Sequence, residues 1–213
     1  KLKAASDYIA NAFAAAGYDV FRQTYKVSGE SCANLIVQIS GSRLPDEVVV
    51  VGAHYDSVSG SPGANDNGSG VAAMLALARQ WANRKPGRTL RFVAFVNEEP
   101  PFFQTEQMGS LVYAKECRKR GDRIVAMLSL ECFGYYSDQP GSQKYPPPVG
   151  LFYPSRGNFI GFVSNVSNRK LVRRCVRAFL AKAEFPAEGG ALPSFLPGIA
   201  WSDHWSFWQV GYP

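Results

Sequence analysis

The feature that most restricts this chain is a set of apolar runs that each stop at acidic residues. Val48-Val49-Val50-Val51 leads into His54-Tyr55-Asp56, residues 89–96 lead into Asn97-Glu98-Glu99, and Met127-Leu128-Ser129-Leu130 stops at Glu131. A fourth patch, Gly63-Ala64-Asn65-Asp66-Asn67, lies in a loop rich in Ser, Gly, Pro and Asn. Continuous β-branched runs read as strands covered on both faces. Ligands of open α/β sheets bind in the crevice at the carboxyl ends of the strands, so the patches are expected to meet at one end of a sheet. Carboxylates together with imidazole suit zinc, and carboxylates can bridge two metals. The pattern points to metal-assisted hydrolysis.

Periodicity supplies the other elements. Residues 2–18 carry Leu2, Ala5, Ile9, Phe13 and Ala16 at helical spacing, with Gly17 as a stop. Residues 19–27 and 33–39 read as strands, a hairpin-like pair suited to an antiparallel edge. Residues 47–53, 89–96 and 124–130 are the buried strands, and 69–82, 109–119 and 168–183 are helices. Residues 135–158 and 185–199 are rich in Pro and Gly and read as loop; 159–166 is apolar. Alternating strands and helices predict an α/β fold, a three-layer α/β/α domain with a mixed, largely parallel central sheet, as a single domain over residues 1–213.

Charge and cysteine content exclude some classes. The net charge of +6 gathers at residues 84–91, 118–123 and 169–177. In the last two, basic residues alternate with apolar ones as on solvated helix faces. No aromatic-basic signature accompanies them, so no nucleic-acid partner is expected. No apolar run is long enough to span a bilayer. The four cysteines form no CxxC pair, which argues against a cysteine zinc site and leaves room for one bridge or for buried thiols. The chain does not begin with Met, and no signal peptide is visible.

Each patch has a plain structural reading as well. His54 and Asp56, two apart at a strand end, face the same side. His54 can bind metal while Asp56 meets its other ring nitrogen, or the two form an ordinary turn contact. Asp66, Asn67 and Ser69 fit helix capping, which suffices for Asn67 and Ser69. Of the adjacent acids Glu98 and Glu99, one can bind metal while the other handles protons. Glu131, following an apolar strand, is costly unless paired or metal-bound.

In order and spacing, Val51 to Ser57, Pro62 to Ala72, Phe95 to Glu99, Met108-Gly109-Ser110, Glu131 and Ser202-Asp203-His204 resemble the co-catalytic zinc aminopeptidase family of clan MH. Its relatives include leucyl aminopeptidases, glutamate carboxypeptidases and glutaminyl cyclases. The resemblance implies a zinc-dependent exopeptidase acting on a peptide with a free N-terminus, and favours a secreted or periplasmic location. It assigns His54, Asp66 and Glu131 to one zinc, Asp66 as the bridge, and Glu99 to a second zinc. Glu98 becomes the general base, Asp56 orients His54, Asp203 reaches the site behind the ligands, and His204 lines it. Phe133, Tyr135, Trp205 and Trp208 are candidate pocket walls. Two departures stand out. Most relatives have Asp where this chain has Glu131. The family's last metal-binding histidine follows a Gly-Tyr-Pro strand, whereas this chain stops at Gly211-Tyr212-Pro213. The expectation is therefore a catalytic domain lacking its C-terminal strand, last ligand and closing helix, with one nearly complete zinc site of the family's two and little activity as it stands. Two other readings are a one-zinc glutaminyl cyclase-like acyltransferase and a non-catalytic binding domain on the same fold.

Overall fold

The apolar runs do form strands, and in the computed structural model, which describes residues 1–213, the chain packs as two compact units. Residues 1–133 with 202–213 form the first, and residues 134–201 the second. The strands are β1 (Phe21–Val27), β2 (Glu30–Ile39), β3 (Leu44–His54), β4 (Arg88–Phe95), β5 (Arg123–Ser129), β6 (Ile160–Asn165) and β7 (Ala187–Leu192). The helices are α1 (Leu2–Ala15), α2 (Gly68–Trp81), α3 (Gly109–Arg120), α4 (Arg169–Leu180) and α5 (His204–Gln209).

The first unit is built on a mixed five-stranded sheet of order β1-β2-β4-β3-β5. The β3 strand pairs in parallel with both β4 and β5, while β2 runs antiparallel to β1 and β4. The hairpin edge and the parallel centre follow the sequence expectation. Alternation along β3 sends Val51 and Ala53 to one face and Val48 and Val50 to the other. Ile9 and Phe13 of α1 and Met74, Leu75 and Ala78 of α2 cover the first face. Tyr113, Ala114 and Cys117 of α3 and Phe207 of α5 cover the second. That completes three layers, and it explains why four consecutive valines leave no polar face.

This winding fixes where a site can lie. From β3 the chain crosses through α2 to its neighbour β4. From β4 it returns through α3, on the opposite face, past β3 to β5. The reversal opens a crevice at the carboxyl ends of β3 and β4, the usual ligand position on such sheets. Two glycines let elements approach there. A Cβ on Gly70 of α2 would lie 2.3 Å from the Leu130 carbonyl oxygen, and one on Gly109 of α3 would lie 2.2 Å from that of Val96.

The second unit holds a parallel pair, β6 and β7, with α4 packed on it. The β7 strand falls in a stretch expected to be loop. Its Ala-Glu-Gly-Gly sequence has no alternating apolar signal; what fixes it is close packing, since a Cβ on Gly189 would come within 2.9 Å of Val176. Three other departures are local. The first helix ends at Ala15, before Gly17 at φ 89°. Residues 204–209 form an aromatic-rich helix that no periodicity announces. Residues 210 and 211 form a turn and 212 is in no strand, although the Pro213 carbonyl accepts a hydrogen bond from Met127 N–H on β5 at 3.0 Å.

Candidate metal centre

His54 is the last residue of β3, and its side chain is 1% exposed. Its Nε2 lies 3.2 Å from Asp66 Oδ1, 3.4 Å from Glu131 Oε1 and 3.8 Å from Glu98 Oε2. Asp66 comes from the loop before α2, Glu98 follows β4 and Glu131 follows β5. Residues 77 positions apart thus meet at one ring nitrogen because three parallel-running strands end together.

The carboxylates are held by backbone and hydroxyl donors. Asp56 accepts hydrogen bonds from the Glu98 and Glu99 N–H groups at 3.1 and 3.0 Å, tying the end of β3 to that of β4. Its Oδ1 lies 3.5 Å from His54 Nδ1, which forms no hydrogen bond. Asp56 is therefore fastened chiefly to the Glu98-Glu99 backbone, with His54 as a longer contact. Ser202 donates to Glu131 Oε2 at 2.6 Å and pairs with the Ser129 hydroxyl at 2.9 Å. Asn67 caps α2, accepting from Gly70 N–H, and also accepts from Cys132 N–H and donates to the Leu130 carbonyl. That single side chain locks the loop carrying Asp66 to the segment carrying Glu131. Asn97 and Cys132, adjoining Glu98 and Glu131, have φ of 61° and 54°, a region sparsely used by residues other than glycine.

The electrostatics are one-sided. Asp56, Asp66, Glu98, Glu99, Glu131 and Asp203 surround one imidazole, and every ion pair in the crevice involves His54; no lysine or arginine takes part. Burial raises the pKa of Glu98, and the charges of Asp203 and Glu131 raise it further. Burial and the charge of Asp66 likewise raise Glu99. Burial raises Asp203, whose two carboxylate oxygens are enclosed without a hydrogen bond. Burial opposes charge on His54, but the carboxylates of Asp56, Asp66 and Glu131 around its ring outweigh it and raise its pKa. The His54 contact lowers that of Asp66. Crowded anions with little compensation, together with an orphaned buried carboxylate, fit a divalent cation. The donor atoms of His54, Asp66 and Glu99 lie within 4.8 Å of one another, as do those of Asp66, Glu131 and Cys132, so Asp66 is common to both groups. A cavity of about 760 Å³ begins at Asp56 and Glu99 and runs along Pro62 and Gly63 to Tyr8 of α1.

The remaining candidates lie further out. His204 opens α5 with its ring 4.7 Å from that of Trp208, outside both donor groups. Asp203, just before it, is wholly buried and electrostatically linked to His54, Glu131 and Asp56. Phe133 donates its N–H to Ser69, and Tyr135 is 75% exposed in the second unit. Ser202 and Cys132 escaped sequence reasoning. Ser202 sits inside the Ser-Asp-His motif, but nothing in that motif marks its hydroxyl as the partner of Glu131. Cys132 lacks the paired spacing that marks metal-binding cysteines.

Over its whole length the chain is 36% identical to the uncharacterized protein YfbL of Escherichia coli, covering 67% of that protein. LapB from Legionella pneumophila shares the fold, with a TM-score of 0.73 at 21% identity over 98% of this chain and 52% of LapB. BSAP, a zinc aminopeptidase from Bacillus subtilis, matches 87% of this chain at 27% identity and a TM-score of 0.61. This chain covers 39% of BSAP, so it spans well under the full length of the solved relatives. The model of peptidase family M28 matches residues 34–213, which include every candidate ligand, and the chain belongs to that family.

Proposed function

We propose that this chain carries the active site of a zinc-dependent exopeptidase, an aminopeptidase that removes the N-terminal residue of a peptide. The observation that carries this reading is the crevice itself: one buried histidine among six carboxylates without a lysine or arginine. His54, Asp66 and Glu131 would hold one zinc, the three protein ligands usual for a catalytic site with an open position. Glu99, with Asp66 shared, would contribute to a second. Bound zinc would supply Lewis acidity toward the scissile carbonyl and make water a stronger acid.

The chain's own residues do the rest. Glu98, enclosed and with Oε2 3.8 Å from His54 Nε2, is placed to take a proton from water and return it to the leaving amine. Asp56 holds the Glu98 and Glu99 backbone in place through two hydrogen bonds. Ser202 fixes the Glu131 carboxylate so that its other oxygen faces His54. Preference for a free N-terminus rests on the likeness to BSAP, a zinc aminopeptidase. The test compares zinc-loaded protein on a peptide with a free N-terminus, the same peptide acetylated, and a peptide beginning with Gln. Release of the first residue from the free peptide alone supports the reading. Cyclisation of the Gln peptide would favour the acyltransferase. Failure to bind zinc would favour a binding domain.

A further inference from the structure

We infer that the outer face of α4 is a docking surface for anionic lipid headgroups. The second unit carries eight Lys and Arg against three Asp and Glu, so it holds +5 of the chain's +6. Five of those cations are Arg169, Lys170, Arg173, Arg174 and Arg177 of α4, all exposed. At about 100° per residue they fall within one stripe of about 140°. The adjoining side of the helix, starting about 20° from Arg169 on the same wheel, holds Val172, Val176 and Phe179, which face the sheet; Val172 is buried and Phe179 packs on Phe162 of β6. The helix contains no acidic residue, and none of the five cations takes part in an ion pair within 4.0 Å. The three acids of the unit are Asp138, Glu184 and Glu188, all outside α4.

Charge complementarity selects a polyanion, and the composition of the stripe selects its kind. Four of the five cations are arginines, whose planar forks pair with phosphate oxygens through two parallel bonds. Leu180 lies within the same stripe and is 52% exposed. An aliphatic side chain beside arginines suits a headgroup layer. The stripe has no aromatic ring on which a nucleic-acid base could stack. The apolar side of α4 is already occupied by its own sheet, so the helix would rest on the surface through its charges rather than insert. Attachment of this kind weakens with salt, because the attraction falls off within a Debye length.

The test is sedimentation of the full chain with vesicles of phosphatidylcholine containing phosphatidylglycerol, beside vesicles of phosphatidylcholine alone. Binding is expected only to the anionic vesicles and should fall steeply between low and physiological salt. The triple variant Arg169→Gln, Arg173→Gln, Arg177→Gln should lose about fivefold in partitioning per charge removed. Its far-UV circular dichroism should be unchanged, since glutamine keeps helix propensity. The triple variant Lys26→Gln, Lys85→Gln, Lys119→Gln removes the same net charge from the first unit and should bind as wild type does. Equal losses in the two triple variants would reduce the effect to net charge and overturn the proposal. Binding to neutral vesicles as well, or no vesicle binding at low salt, would also overturn it. So would tighter binding to a short DNA duplex than to the anionic vesicles at equal salt.

Discussion

The two ends of the central sheet treat carboxylates in opposite ways. At the amino ends of the parallel strands, Glu47 pairs with Arg88 and Arg123, and Asp122 pairs with Arg91 and Arg120. At the carboxyl ends, the acids around His54 have no arginine or lysine at all. One end is neutralised from within the chain, which is how a fold disposes of half-buried acids. The other is left anionic around a single imidazole, which costs stability until a cation arrives. The same strands supply both ends. The difference therefore lies in which residues were placed beyond them, and it separates what holds the sheet from what the sheet is for.

The sharpest way to break this contrast is at Glu98. Glu98→Gln keeps the shape and the neighbouring ligands but cannot accept the water proton. Turnover of zinc-loaded protein should fall roughly 10²–10⁴-fold, with zinc content unchanged by elemental analysis. Loss of zinc with residual turnover would exchange the roles of Glu98 and Glu99. Zinc itself gives the next largest effect. At a free concentration a hundredfold above its dissociation constant it should stabilise the fold by about 2.7 kcal/mol, read as a rise in melting temperature that chelator reverses. An Asp122→Asn variant should show the same zinc-induced rise, because the opposite end takes no part.

At the paired end the responses are smaller and depend on acid. Burial works against ionised Asp122, but Arg120 and Arg91 outweigh it and hold its carboxyl below the usual range. Its folded pKa lies below the unfolded value of about 3.9, so its contribution is complete above that value and is lost as pH falls through the folded one. Asp122→Asn should cost about 1–2 kcal/mol at pH 7 and flatten that acid-dependent loss in denaturant titrations. The smallest effect belongs to exposed pairs. Lys115→Gln, which breaks the contact with Glu106, should change stability by less than about 0.5 kcal/mol.

How far the sequence exposes this arrangement follows the same division. The parallel strands β3, β4 and β5 are legible because burial on both faces demands apolar runs, and the acids that follow those runs mark the crevice. Asn67 is legible as a helix cap, but its bonds to Leu130 and Cys132 reach across 63 and 65 residues and have no local sign. The sequence pairs Asp56 with His54, but its firmer contacts are with the Glu98 and Glu99 backbone, which depend on β3 and β4 being neighbours. In the second unit, β7 is hidden because two glycines there serve close packing and leave no periodic pattern. The stripe on α4 is visible as an amphipathic helix, yet only the structure shows that its basic side has no acidic partner.

The central claim, that the carboxyl end of the sheet is built to hold zinc and the amino end is not, can be tested by anomalous scattering at the zinc edge from crystals grown with zinc. The account predicts a peak at about 2.0–2.2 Å from His54 Nε2 and from carboxylate oxygens of Asp66 and Glu131, and no peak near Glu47 or Asp122. A zinc-loaded crystal with no peak at His54, or with its strongest peak bound elsewhere, would contradict it.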